Sequence, residues 1–257
     1  MFAIERIRII KKILMKDHKV SVAKLSEMLN VTEVTIRRDL EKLENEGFLK
    51  RTHGGAILLD YDEDTLWDSN DDIKMVQSYQ EIADTAVFLA NDGDHIMLTN
   101  GSVNNYIAKA LSLHNNLTIV TNDLQIATSF TSSTTNTVIL LGGDIEDNAV
   151  FGQMTVDNLR NFSFDHIFIE IDGLSETVGM TVSSTKKATL IQTAIKLTDS
   201  VTVVCPSNVF GNKSLYRVGN LNLAHRVLTD SNLEDQYKNY IYSQNIPLFT
   251  SIDVYEN

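Results

Sequence analysis

The sequence predicts two modules of different fold class: a small, mainly helical N-terminal module closed by a strand pair, then a larger α/β unit with an open, mainly parallel sheet. Three observations carry this reading. The chain has 257 residues, which at roughly 150 residues per domain suits two domains better than one. Charge is uneven, because residues 1 to 60 hold 12 Lys+Arg against 9 Asp+Glu and leave 10 against 25 for the remainder of a chain whose net charge is -12. Apolar spacing also changes, from helical periodicity at the start to short apolar runs alternating with helical segments beyond residue 75.

In the first module Ile7, Ile10 and Leu14 recur at i, i+3 and i+7 with Ile13 beside them, so residues 3 to 16 read as an amphipathic helix ended by Asp17 and His18. Ser21 suits the N-cap of a second helix with the stripe Val22, Leu25, Met28 and Leu29, and Asn30 suits the residue just past its end. Thr32 caps a third helix. There Ile36, Leu40 and Leu43 fall within about 60° of one another on a helical wheel and face inward, which leaves Val34, Thr35, Arg38 and Lys42 on the other side and Arg37 at the border. Gly47 ends this helix. Phe48 to Leu58 then reads as a hairpin turning at Gly54 and Gly55, with Lys50, Arg51 and His53 nearby.

Two short helices joined by a tight turn, the second with Thr and Arg exposed near its start, form a helix-turn-helix, and the strand pair is a wing. The third helix fits a major groove, where Arg38 or Arg37 can donate two hydrogen bonds to a guanine, Thr35 can bond a base or phosphate, and Val34 can touch a thymine methyl. Thr32 and Lys42 flank these contacts, while Lys50, Arg51 and His53 hold phosphates and set register without reading sequence. The expected partner is double-stranded operator DNA. The stretch VTEVTIRRDLEKLENEGFLKRTHGGA, residues 31 to 56, resembles the DNA-binding signature of the DeoR family of bacterial repressors, V-S-x-x-T-I-R-R-D-L, then L-E-x-x-G, then R-x-H-G-G-A. The match at Thr35-Ile36-Arg37-Arg38-Asp39-Leu40 and at His53-Gly54-Gly55-Ala56 is gapless. The resemblance implies a winged helix over residues 3 to 58, with the helix-turn-helix proper near 20 to 39.

Residues 60 to 73 (DYDEDTLWDSNDDI) carry seven acidic residues and no basic one, so residues 59 to 75 read as a solvated linker that repels DNA. Residues 76 to 257 alternate helical patterns, such as Tyr79 to Asn91 and Val103 to Leu113, with the apolar runs HIMLT, LTIV, TVILL, HIFIE, SVTVV and HRVL. Six parallel strands thus end in six small polar loops. In such sheets ligands bind at the carboxyl ends of the strands, where loop amides and helix N-termini attract anions. The candidates there are Gly101, Ser102, Asn104, Thr121, Asn122, Gly142, Gly143, Gly152, Asp172, Gly173, Lys186 and Ser207. Glycines admit close backbone approach, and Asn and Asp suit sugar hydroxyls; the same residue types also simply terminate strands.

TNDLQIA, LGGDIEDNAVFG and the segment from Phe168 to Gly211 are similar to the DeoR-type effector domain, whose fold resembles ribose-phosphate isomerases and glucosamine-phosphate deaminases. The resemblance implies an effector that is a phosphorylated sugar or a relative of one, release of DNA when it binds, and a homo-oligomer, dimer or tetramer. The chain departs from the family's pattern at several pocket positions. Thr99 and Val103 replace an Asp and a Thr of the first loop, Glu170-Ile171-Asp172-Gly173 stands for G-A-D-G, and Ile191 and Val209 stand where the family has lysines. Two phosphate cations are thereby absent and a carboxylate is added, with Lys186, Lys187 or Lys213 as the available substitutes.

Several classes are disfavoured. At 43% apolar and 22% charged residues the composition is that of a globular protein. The single Cys205 precludes a disulfide framework within the chain or a cysteine-rich zinc site and fits a reducing, cytoplasmic setting. No apolar run is long enough to span a membrane. No cofactor or metal is expected, since neither GxGxxG, GxxxxGK[ST] nor HExxH occurs. An enzyme would need a general acid or base, and Asp172 and Glu170 have no His or Lys placed beside them by sequence. The other class left open is a regulator whose C-terminal half only oligomerises.

Overall fold

A computed structural model describes residues 6, 7, 9–11, 13, 14, 19–45, 48–52, 54–58, 69–131 and 135–250. The chain divides into two compact units, Met1–Asp72 and Ile73–Asn257.

In the first unit the described residues between 6 and 14 are helical, and Ile10 and Leu14 are fully buried. A strand β1 (Lys19–Ser21) follows, then helices α1 (Val22–Leu29) and α2 (Glu33–Asn45), and strands β2 (Leu49–Thr52) and β3 (Gly55–Leu58). Ser21 has extended backbone and its hydroxyl accepts from Lys24 N–H at 3.4 Å, while Asn30 ends α1 in the left-handed region at φ 49°, a conformation Asn tolerates better than most side chains. Ile36, Leu40 and Leu43 of α2 pack with Val22, Leu25 and Leu49. Met28 does not join them: it is 54% exposed, because the eight residues of α1 present only Val22 and Leu25 fully to this small core.

The hairpin is one strand wider than the spacing predicts, since β1 adds to it in the antiparallel order β1-β3-β2. Gly55 is a strand residue rather than half of the turn. It pairs with Ser21, and a Cβ there would lie 1.8 Å from the Val20 carbonyl oxygen, so the requirement is close backbone approach.

The second unit begins with α3 (Ser69–Val87), which starts inside the stretch read as a linker and ends short of Asn91. Acidic residues favour a helix N-terminus, so a run that reads as solvated chain can supply a first turn; residues 59–68 lie outside the described residues. In chain order there follow β4 (His95–Leu98), α4 (Ser102–Leu111), β5 (Thr118–Thr121), α5 (Leu124–Ser129), β6 (Thr137–Leu140), β7 (Asp144–Glu146), β8 (Ala149–Phe151), α6 (Gln153–Leu159) and β9 (His166–Glu170). The remainder is β10 (Gly173–Ser175), β11 (Gly179–Val182), α7 (Thr185–Ala194), β12 (Val201–Val204), β13 (Tyr216–Gly219), β14 (Arg226–Leu228), α8 (Asp235–Ser243) and β15 (Leu248–Phe249).

All six predicted runs are strands of one sheet, in the order β15-β14-β12-β9-β4-β5-β6, and every pairing in it is parallel. The seventh strand, β15, is too short to show a pattern. Alternate residues feed two cores: Met97, Ile167 and Ile169 join one, with Leu159 and Ile191, while Ile96, Leu98 and Phe168 join the other, with Ile82 and Ile107. Burial on both faces explains why these strands read as continuous apolar runs. The chain leaves β4 toward β5 and β6 on one side and later fills β9, β12 and β14 on the other, so the order reverses at the β4/β9 crevice. That is where this architecture opens a ligand site at the carboxyl edge.

Candidate functional site

The exposed side of α2 is built by the same periodicity that buries its other side. Val34, Arg38 and Lys42 stand four residues apart and are exposed, Val34 by 60%. Thr32 accepts from Thr35 N–H at 3.3 Å, and the two hydroxyls lie 3.0 Å apart, so both threonines are spent partly on fixing the start of the helix. The two arginines differ. Arg37 donates to Glu33 at 3.0 Å, whereas Arg38 forms no ion pair among the described residues and is exposed, leaving its guanidinium able to make the bidentate contact that reads guanine. The next residue, Asp39, is turned inward and bonded twice by Arg6, at 2.7 and 3.1 Å, with both residues buried.

On the wing, Lys50 and Arg51 of β2 are exposed. Arg51 is held by Glu44, whose carboxylate accepts from Arg51 N–H at 2.9 Å. His53 lies outside the described residues. Val22 N–H donates to Gly54 O at 2.8 Å, tying the start of α1 to the wing tip. Between them runs an open groove of about 600 Å³ lined by Lys19, Lys24, Thr52 and Gly54. The two lysines are cations that the sequence reading did not assign; the run KVSVAK carried the signal, but only β1 joins it to the wing.

At the carboxyl edge of the parallel sheet the predicted loop residues fall into three groups. Asn104, Thr121 and Asn122 are fully buried and spend their hydrogen bonds inside the fold. Asn104 Nδ2 donates to the carbonyls of Thr99 and Phe168 at 2.9 and 3.2 Å, Thr121 donates to Leu98 O at 2.8 Å, and Asn122 Oδ1 accepts from Asn100 N–H at 2.9 Å. A second group is glycine where little else fits: Gly143 has φ 153°, and a Cβ would meet Thr155 Oγ1 at 2.2 Å, while Gly142 O accepts from that hydroxyl at 2.8 Å. A Cβ on Gly173 would lie 2.6 Å from Thr181 Oγ1.

The third group gathers charge at the β4/β9 crevice. Asp172 accepts from Ser183 N–H and Oγ–H at 2.6 and 2.7 Å and from Lys187 Nζ at 2.8 Å. Burial alone would raise the Asp172 carboxyl, but Lys187 and Ser183 outweigh it and hold it below its usual range. A lysine does therefore stand beside Asp172, contrary to the expectation from spacing: fifteen positions and the β10–β11 hairpin separate them in the chain. Glu170 Oε2 accepts from Asn104 N–H at 3.0 Å. Burial pushes the Glu170 carboxyl up to about 7, against the opposing pull of Lys187 and the Asn104 N–H. Tyr79 of α3 also belongs here, pushed up to about 12 by its burial and by the Glu170 charge, with Ser102 as a hydrogen-bond partner. No motif pointed to Tyr79.

Lys186 is paired with Glu146 and, with Gly152, lines a cavity of about 160 Å³ between α6 and α7, bounded further by Thr155, Thr185, Thr189 and Leu190. Ser207 N–H donates to Asp230 at 2.6 Å. The described histidines, His95, His114, His166 and His225, stand apart from these groups. His95 and His166 open β4 and β9, and His225 precedes β14, which puts them at the amino edge of the sheet. There His166 Nδ1 lies 2.9 Å from Ser200 Oγ, and Val201 N–H donates to His225 Nδ1 at 3.2 Å. His114 follows α4 beside Asp92, at 3.4 Å. Among the described residues no group of three or more His, Cys, Asp or Glu could hold a metal ion, and no helix is long and apolar enough to cross a membrane.

Two family models match the chain. One described as a DeoR-like helix-turn-helix domain covers residues 6–61, and one described as a DeoR C terminal sensor domain covers residues 74–231. The chain is 30% identical to an uncharacterized HTH-type transcriptional regulator, YulB, of Bacillus subtilis, over 91% of each chain. It is 31% identical to a lactose phosphotransferase system repressor of Staphylococcus epidermidis, over 89% of this chain and 92% of that one. It is 28% identical to the glycerol-3-phosphate regulon repressor of Escherichia coli, over 82% of this chain and 84% of that one. Solved structures of similar fold include eIF2B beta of Chaetomium thermophilum, at TM-score 0.48 and 13% identity over 68% of this chain and 57% of that one.

Proposed function

Because the chain belongs to the DeoR family of helix-turn-helix transcriptional regulators, we propose that it represses a sugar-metabolism operon and is relieved by a sugar-derived metabolite, without catalysis. The observation that carries this reading is the exposed stripe Val34, Arg38 and Lys42 on α2, with the Arg38 guanidinium unpaired among the described residues. Direct readout falls to Arg38, Val34 and Thr35, and Arg37 is secondary because Glu33 already holds it. Thr32, Lys42, Lys50, Arg51 and His53 contact phosphate, and Lys19 and Lys24 extend that surface.

Two copies of the N-terminal unit in a homo-oligomer would read half-sites spaced by whole helical turns. The metabolite binds at the carboxyl edge of the sheet, among Gly101, Ser102, Asp172, Lys186, Lys187 and Ser207. Thr121, Asn122 and the remaining glycines shape the loops rather than touch ligand. Coupling follows if the ligand binds one arrangement of the oligomer better than the other. His95, His166 and His225 lie at the opposite, amino edge of the sheet, away from these residues, which favours sensing over turnover. Footprinting the protein on the DNA upstream of its own gene, with and without matched sugars and sugar phosphates, tests the reading. A protected palindrome lost with one metabolite is expected. Uniform protection at every sequence would contradict it.

A further inference from the structure

We infer that Glu170 sets the ligand specificity of the sensing pocket: its carboxylate occupies the anion position at the N-terminus of α4, so this end of the pocket receives uncharged hydroxyl groups and excludes phosphate. The inference rests on the sensor reading given above and narrows it to a ligand class.

The geometry begins at Gly101, which precedes α4 with φ 148° and offers that helix no side-chain cap. The vacated cap is filled from the neighbouring strand. Glu170 Oε2 takes the Asn104 N–H at 3.0 Å, and the Val103 N–H also faces the carboxylate. A Cβ on Gly101 would lie 2.2 to 2.5 Å from the carboxylate carbon and both its oxygens, so the group lies flat against the glycine. Glu170 is fixed there, because its own N–H donates to Thr99 Oγ1 at 3.0 Å. Anions favour a helix N-terminus for its free N–H groups and its dipole, and here the anion belongs to the protein.

A phosphate entering this crevice would have to displace Glu170 or sit against it and Asp172. Neither lysine of α7 is free to offset that repulsion, since Lys187 is bonded to Asp172 and Lys186 to Glu146. Hydroxyls meet the opposite situation. A carboxylate has about four acceptor positions, and the Asn104 and Val103 N–H groups fill two of them. On the same turn, the fully buried Asn104 leaves its Oδ1 without a donor. Both shortages suit a polyhydroxylated ligand.

Inorganic phosphate is the probe, added to full-length protein at about pH 8, where the Glu170 carboxyl is ionised, and at constant ionic strength, while the amide NMR signals of Val103 and Asn104 are followed in wild type, Glu170→Ala and Glu170→Gln. In wild type these signals should not move. In Glu170→Ala they should shift saturably, with phosphate bound at least tenfold more tightly than in wild type, and Glu170→Gln, which keeps the shape, guards against loss of folding in the smaller variant. Equal shifts in wild type and variants would overturn the inference, as would a folded Glu170→Ala whose two amides ignore phosphate. Failure of the sensor reading looks different: the variant gains phosphate at Val103 and Asn104, yet no metabolite changes operator affinity in any form of the protein.

Discussion

Arg6→Ala is expected to destabilise the N-terminal unit strongly although Arg6 touches no DNA in this reading. Its guanidinium gives Asp39 two hydrogen bonds, at 2.7 and 3.1 Å, and the two side chains are only 10% and 9% exposed. Removing one partner of a buried pair leaves the other charge unpaired and costs about 3–5 kcal/mol. A unit of about 70 residues has a total stability of roughly 4–10 kcal/mol, so the loss is a large share of it. Hydrogen exchange at the amides of Ile36 to Leu43 in the full-length protein reads this unit separately from the sensor. Protection there should fall by about two to three orders of magnitude, while that of the parallel sheet stays unchanged. Arg6→Met combined with Asp39→Leu should recover much of the loss, because both charges then leave together. A single variant costing under about 1 kcal/mol, or a double variant no better than the singles, would refute the reasoning.

Glu170→Gln should remove a pH dependence from the sensor unit. With its carboxyl raised from 4.5 to about 7, the folded state holds an extra proton between those values, so wild-type stability falls as pH rises through that window, by about 3 kcal/mol. His166, lowered from 6.5 mainly by burial, acts in the opposite direction, so the wild-type-minus-variant difference in urea midpoints at pH 5 to 8 is the quantity to plot; a flat difference would count against the buried carboxylate. Lys187→Met should destabilise the sensor by about 1–3 kcal/mol, since the half-buried Asp172 then loses a charged hydrogen-bond donor and keeps only those of Ser183, and calorimetry showing an unchanged sensor transition would contradict this. Gly55→Ala should cost about 1–3 kcal/mol and weaken operator binding with it, because the Val20 carbonyl leaves no room for a methyl; an unperturbed variant would mean that β1 does not pair as described.

Periodicity made the large features legible. A 3.6-residue repeat put Ile36, Leu40 and Leu43 inside and Val34, Arg38 and Lys42 outside, and that division separates the core from the side proposed to face DNA. Apolar runs ending in small polar loops gave six strands of the sheet, since burial on both faces leaves an uninterrupted signal. Contacts between distant positions were not legible. Arg6 and Asp39 are 33 residues apart, and Glu170 reaches Asn104 across 66, distances at which spacing carries no information. Short elements were lost for a related reason: β1 and β15 have three and two residues, fewer than a period-two pattern needs. Thr121 and Asn122 read from sequence either as ligand contacts or as strand terminators, and their burial is what the sequence could not supply.

The most direct test of the DNA-reading claim compares wild type with Arg38→Ala on the footprinted operator and on a scrambled duplex, across a range of salt concentrations. Loss of one bidentate base contact should cost about 1–3 kcal/mol of discrimination, bringing operator affinity toward that for scrambled DNA, while binding to the scrambled duplex keeps a steep salt dependence from the remaining phosphate contacts. An Arg38→Ala protein that binds the operator as tightly as wild type, and prefers it over scrambled DNA by the same factor, would contradict the assignment of this helix as the reading surface.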